Sequence, residues 1–181
     1  MKFTETELAG AYLIQIHKIE DSRGFFARAW CSKEFRELRL PDSFPQCNLS
    51  YNLQRGTIRA LHYSIAPSSE SKIVRCIRGA ILDVLVDIRP TSPTFGKWIS
   101  RELTAENREM FYIPVGFAHG FQTLEDHSEV FYQMGDFYKP ELSRGIQYDD
   151  PELNIDWDQT TVVISDQDLG YPTLRDAART L

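Results

Sequence analysis

Ile73-Val74-Arg75-Cys76-Ile77-Arg78-Gly79-Ala80-Ile81-Leu82-Asp83-Val84-Leu85-Val86-Asp87-Ile88 is the stretch on which the fold turns. Ile73 to Ile77 and Ala80 to Ile88 are β-branched runs of strand length, and branching at Cβ favours extended backbone. Arg78-Gly79 between them predicts a hairpin turn. Outward from this centre the same texture recurs. Tyr12 to Ile19 alternates and is rich in apolar residues, and Gly24 to Trp30 packs aromatics after an Asp-Ser-Arg-Gly turn. Trp98 to Leu103, Glu109 to Ile113, Phe121 to Leu124 and Val130 to Phe137 read as further strands. Short strands at such regular spacing predict a sandwich or barrel. Helical signals are few. Ser32 is placed to cap Lys33 to Leu40 before Pro41, Thr104 to cap a single turn from Ala105 to Arg108, and Thr173 to Leu181 predicts a short terminal helix.

The bulk numbers narrow the function. The 181 residues suit one domain, 1–181, with a real core. A hydrophobic share of 42% and a charged share of 25% are ordinary for a soluble globular protein. A net charge of −6 and a pI of about 5.2 argue against broad nucleic-acid binding, which needs a basic footprint. They leave room for a small anionic ligand held by local arginines. Cys31, Cys47 and Cys76 are odd in number and show no Cys-x-x-Cys spacing, which fits free thiols in a reducing cytoplasm. No apolar run follows the first residues as in a signal peptide, and nothing approaches a membrane span of ~20 apolar residues.

Two histidines sit beside turn-forming residues in this β-rich chain. They are His62, in Gly56-Thr57-Ile58-Arg59-Ala60-Leu61-His62-Tyr63, and His119, in Ile113-Pro114-Val115-Gly116-Phe117-Ala118-His119-Gly120-Phe121. A zinc or iron site needs three or four converging ligands. The chain has four histidines and no His-x-His, so the pattern turns toward acid–base chemistry on a small ligand. Removing a proton beside a carbonyl needs a base that titrates near neutrality, a carboxylate to hold its tautomer, and a donor where enolate charge develops. Returning the proton on the other face needs a second group, for which tyrosine is suited.

The chain holds each part. His62 is a candidate base, Lys72 opens an apolar strand, Tyr132 lies in Val130-Phe131-Tyr132-Gln133, and Asp168 lies in a polar segment near the end. Arg59 would point away from His62 on an ideal strand, but a bulge would turn both inward. Each residue alone also has an ordinary explanation. His62 suits a packed histidine, Lys72 a solvated one, Tyr132 a core aromatic, and Asp166 and Asp168 turn positions. The case rests on the constellation.

From about Tyr12 to Pro172 the chain resembles the dTDP-4-dehydrorhamnose 3,5-epimerases, nucleotide-sugar epimerases of the cupin superfamily. The resemblance is carried by Asp21 to Phe26, Gln46-Cys47-Asn48, Ile58 to His62, Lys72 to Arg75, Gly79 to Arg89 and Ser92 to Gly96. It continues through Pro114 to Phe121, Asp149-Asp150-Pro151 and Ser165 to Asp168. It implies a mostly β, cupin-type jelly-roll barrel with a few short helices, working as a homodimer without metal or organic cofactor. The implied substrate is a deoxythymidine-diphospho 4-keto-6-deoxyhexose. By the resemblance His62 is the base, Asp168 its orienting carboxylate, Tyr132 the acid on the opposite face and Lys72 the enolate-stabilising cation. Arg23, Phe26, Gln46, Asn48, Arg59, His119 and Tyr138 match ligand-holding positions. Arg23 and Phe26 belong to an early strand that, in such dimers, reaches the neighbouring subunit's site.

The chain also departs from the family's usual pattern. Ala60 stands for a glycine, Arg28 for a glutamate, Gln133 for a lysine, Ser143 for a glutamate, and Gln167 for an arginine. All four proposed catalytic positions are kept. Three rivals stay open at this point: a single-centre epimerase or ketoisomerase on a related sugar, a metal-dependent cupin, and a binding barrel without turnover.

Overall fold

The computed structural model describes residues 1–158 and 163–180. Leu181, at the end of the expected terminal helix, lies outside the described residues. Two antiparallel sheets face each other in the mostly β jelly-roll arrangement expected from the sequence. The larger has the order β1 (Lys2–Glu5), β2 (Tyr12–Gln15), β10 (Met110–Ile113), β7 (Lys72–Arg78), β12 (Ser128–Met134) and β5 (Gln46–Asn52). The smaller has the order β13 (Ser143–Gly145), β6 (Ile58–Ser64), β11 (Phe117–Thr123), β8 (Ala80–Asp87) and β9 (Trp98–Thr104). A separate ribbon pairs β3 (Lys18–Asp21) with β4 (Gly24–Ala27).

The core explains the texture of the central stretch. Val74, Phe111 and Val130 of the larger sheet pack against Ile81, Leu85, Leu103 and Phe121 of the smaller one. On the other side of β8, Val84 and Val86 meet Ile146, Leu153, Trp157 and Leu174 from the C-terminal segment. β8 is therefore covered on both faces, which is why its sequence runs apolar rather than alternating. The outer face of the larger sheet is partly sealed by Phe35 of α1 (Ser32–Glu37), packed with Ile14, Ile73, Met110 and Tyr112.

The expected hairpin at Arg78-Gly79 does not form. β7 and β8 belong to opposite sheets, and each pairs with other strands. Gly79, at φ 72, turns the chain from one sheet to the other. A side chain there would run into Ser128, at 3.2 Å from its Cα, so the corner also needs glycine for space. The expected strand Tyr12 to Ile19 is split. β2 stays in the larger sheet, while β3 leaves the body with all four residues exposed. Ser32 begins α1 rather than capping it; Cys31 occupies the cap position and makes no side-chain cap. The Thr104 cap does form, with its hydroxyl accepting from Asn107 N at 2.8 Å over a turn. Thr173 caps α3 (Leu174–Ala177) in the same way. Among the described residues no helix is long and apolar enough to cross a membrane.

Candidate active site

A cavity of about 630 Å³ opens between the two sheets. Alternation decides which side chains enter it from β11 and β12. Lys72 reaches it from β7, Tyr132 and Met134 from β12, and His119 and Phe121 from β11, while β5 lines it with Asn48, Leu49, Ser50 and Tyr51 in succession. β6 breaks the alternation. His62 pairs with His119 and Arg59 with Phe121, so three steps on β6 match two on β11. Ala60 and Leu61 are consecutive and both have no exposed surface in the outer core, while Arg59 and His62 both line the cavity. This is the bulge that the spacing of Arg59 and His62 required. It presses Ala60 against Gly120, where any side chain would collide with the Ala60 side chain and backbone.

The bulge also completes the base. Asp168 Oδ1 lies 2.9 Å from His62 Nε2, and its Oδ2 accepts from Ala60 N at 3.3 Å. Asp168 sits in α2 (Asp166–Leu169), a single turn capped by Ser165, whose hydroxyl accepts from Asp168 N at 3.1 Å. Asp168 is thus 6% exposed, its carboxylate held at both oxygens and its backbone by the cap, while the His62 side chain keeps 36% of its surface open. With Nε2 held by the carboxylate, Nδ1 is the nitrogen left for a substrate proton.

Facing this pair across the cavity are Tyr132 and Lys72, from the opposite sheet. Burial pushes the Tyr132 phenol up, against the opposing effects of Arg59's charge and a hydrogen bond with Asn48. The phenol therefore stays protonated at neutral pH and can donate. Lys72 Nζ lies 3.0 Å from Glu70 Oε1. His119 Nε2 lies 2.8 Å from Asp83 Oδ1, and Asp83 is wholly buried in β8. Burial raises the Asp83 carboxyl, and the charges of His119 and Lys72 oppose that rise. Arg59 Nε donates to Asn52 Oδ1 at 2.8 Å.

The cavity lining includes eight of the residues expected from the sequence: His62, Asp168, Tyr132, Lys72, Asn48, Arg59, His119 and Tyr138. Gln46 does not line it. Its amide supports neighbours instead, donating to Asn48 Oδ1 at 3.2 Å and accepting from Tyr138 N at 3.0 Å. Arg23 and Phe26 lie on the projecting β3–β4 ribbon, outside this cavity. The Arg23 side chain is 87% exposed and paired with Asp21, and Phe26 is 73% exposed. Asp83, Glu70 and Tyr171 are cavity or network residues the sequence reading did not single out as functional, and Gln167, which stands for the family's arginine, lines the cavity too. Asp83 had a signal, a lone carboxylate inside an apolar run. Tyr171 had none.

Known proteins resemble the chain in both sequence and overall fold. The family model for dTDP-4-dehydrorhamnose 3,5-epimerase matches residues 5–176. A dTDP-4-dehydrorhamnose 3,5-epimerase of Sinorhizobium fredii is 41% identical over 175 residues, covering 96% of this chain and 90% of the relative. The crystal structure of the Elizabethkingia anophelis dTDP-4-dehydrorhamnose 3,5-epimerase superposes with a TM-score of 0.94 at 37% identity, covering 97% of each chain. A Legionella pneumophila dTDP-6-deoxy-D-glucose-3,5-epimerase in complex with dTDP-4-keto-L-rhamnose gives a TM-score of 0.90 at 38% identity, covering 96% of this chain and 93% of that one. With the family model spanning nearly the whole chain and relatives of this identity matched end to end, the chain belongs to the dTDP-4-dehydrorhamnose 3,5-epimerase family.

Proposed function

We propose that the protein epimerises a nucleotide-diphospho 4-keto-6-deoxyhexose at carbons 3 and 5, taking dTDP-4-dehydro-6-deoxyglucose to dTDP-4-dehydrorhamnose. The observation that carries this is a histidine–carboxylate pair on one wall of the cavity and a protonated tyrosine on the opposite wall. The 4-keto group acidifies the hydrogens on the two flanking carbons. His62 removes one of them through Nδ1, and Asp168 stabilises the imidazolium that results. Lys72, whose side chain is 12% exposed, places positive charge where the enolate oxygen develops. Tyr132 then protonates the carbon from the other face, and its configuration inverts. Each proton transfer is assigned to a side chain, so the reading invokes no cofactor. The cavity volume lies in the range of small-ligand sites, about 300–1,000 Å³.

Arg59, His119, Asn48 and Tyr138 are proposed to hold the sugar and diphosphate, with arginine suited to phosphate oxygens. Arg23 and Phe26 enter this reading through a homodimer in which the β3–β4 ribbon reaches the partner's cavity. Support comes from the edge strand β5, on which Leu49 and Tyr51, part of the cavity lining, stay 58% and 47% exposed. A single unit spanning 1–181 and residence in the cytoplasm, consistent with three free thiols, belong to the same proposal.

Incubation with dTDP-4-dehydro-6-deoxyglucose in heavy water tests the assignment. Deuterium should enter at both carbons 3 and 5. Entry at one carbon would replace the proposal with a single-centre epimerase, and entry at neither would sink it. His62→Ala should abolish exchange while dTDP binding persists.

A further inference from the structure

Tyr171 contacts the proposed base, and neither the sequence motifs nor the dyad itself accounts for it. Its ring centroid lies 5.8 Å from that of His62, at an interplanar angle of 75°. It reaches that place because of a glycine. Gly145 of β13 is the cross-strand partner of His62. Cross-strand partners project to the same face, so a side chain at 145 would stand beside the imidazole. It would collide with the Tyr171 ring, which fills that space instead. The tyrosine is held in turn by α2: Gln167 Nε2 donates to its hydroxyl at 2.9 Å. The single turn that carries Asp168 thus also fixes the ring on the other side of His62.

A histidine tied to its partner at one nitrogen can still rock about that hydrogen bond. The His62 side chain, which lines the cavity, is 36% exposed. We propose that Tyr171 is a positioning residue, whose ring, seated over Gly145, holds the His62 imidazole in the plane that presents Nδ1 to the reacting carbon. This rests on the reading of His62 as the base. A small misplacement of a catalytic group can cost up to about a hundredfold in rate, so loss of one of two restraints should cost about tenfold.

The test compares Tyr171→Ala, Tyr171→Leu and Tyr171→Phe with the wild-type protein in the heavy-water assay, with unfolding midpoints measured alongside. Alanine and leucine should each lower kcat about tenfold while KM changes less than about threefold. Leucine keeps most of the volume, so it guards against an alanine variant that fails to fold. Phenylalanine keeps the ring and loses only the Gln167 bond, and should retain at least about a third of kcat. The inference is overturned if alanine and leucine leave kcat within twofold. It is overturned equally if KM alone rises, or if phenylalanine is as slow as alanine. Those results arise with an active wild-type protein and leave His62 as the base; a wild-type protein that exchanges neither carbon overturns both readings together.

Discussion

Asp168→Asn isolates the dyad, because the change keeps size and removes only charge and acceptor capacity. The carboxylate now accepts at both oxygens, from His62 at 2.9 Å and from Ala60 N at 3.3 Å. An amide cannot do both. If its oxygen faces Ala60, its NH2 faces His62 Nε2, which must then accept. The imidazole proton moves to Nδ1, and the lone pair that takes the substrate proton is gone. If the amide is reversed, the tautomer survives, but NH2 is set against the Ala60 N–H, two donors facing each other. That orientation costs about 1–3 kcal/mol. The first orientation therefore dominates, and it is inactive. A positioned general base is worth about 10² to 10⁴ in rate, and the equivalent swap in serine hydrolases costs about 10⁴. His62 is partly open to solvent, which offers it alternative partners, so a loss of about a thousandfold in kcat is expected, or ~4 kcal/mol of barrier. Deuterium entry at carbons 3 and 5 followed by NMR gives the rate, and dTDP titration gives binding, which should hold within about threefold. The α2 cap uses the backbone of residue 168 and is untouched by the change. A variant that turns over within fivefold of wild type would refute the role given to Asp168.

Four further outcomes follow from the structure. Tyr132→Phe should separate exchange from inversion: His62 still removes and returns a proton on its own face, so deuterium enters with retention while epimer formation falls at least about a hundredfold. The raised Tyr132 phenol also places the alkaline loss of wild-type epimerisation above the ordinary tyrosine value of about 10, and a pH–rate profile checks this. Asp87 is pushed up by burial, but bonds from Arg89, Ser92 and Thr94 outweigh that and hold its carboxyl well below the usual range. Its folded value lies below its unfolded value, so its contribution is present above about pH 4 and is lost as pH falls further; Asp87→Asn should flatten the acid limb of a plot of stability against pH, and an unchanged limb would count against the network. Leu49→Asp should convert the proposed dimer to monomer in sedimentation, since it sets a carboxylate in an apolar contact.

The sequence disclosed the layers more readily than their connections. Apolar runs reported burial correctly: β8 reads as unbroken because both its faces are covered. They did not report which sheet a strand joins. A tight glycine turn serves a hairpin or a corner equally well, and Ser128, which crowds Gly79, is 49 residues away in the chain. β5 and β6 were hidden for different reasons. β6 loses its alternation at the bulge. β5 alternates, but with Asn48 and Ser50 half-buried and Leu49 and Tyr51 exposed, the reverse of a strand covering a core. The dyad joins residues 106 apart, a distance across which local pattern carries no information. The family resemblance brought those two together; the bulge at Ala60 explains physically how they meet.

The inversion in β5 ties assembly to the site. A strand with polar residues inward needs a polar occupant, and the cavity supplies it: Asn48 and Ser50 line the same space as Tyr132 and His62. With apolar residues exposed it also needs cover, and α1 seals only the part of the larger sheet near Ile14, Ile73 and Met110. As the last strand of that sheet, β5 has a ladder on one side alone, through β12. Burying Leu49 and Tyr51 against a second copy would return about 25 cal/mol for each Å² of apolar surface covered. That gain would fall on the very strand that carries Asn48 to the Tyr132 phenol. In the proposed dimer, association would therefore do more than deliver Arg23 and Phe26 from the partner. It would hold one wall of each cavity in place, so that the acid on that wall keeps its distance from the base on the other.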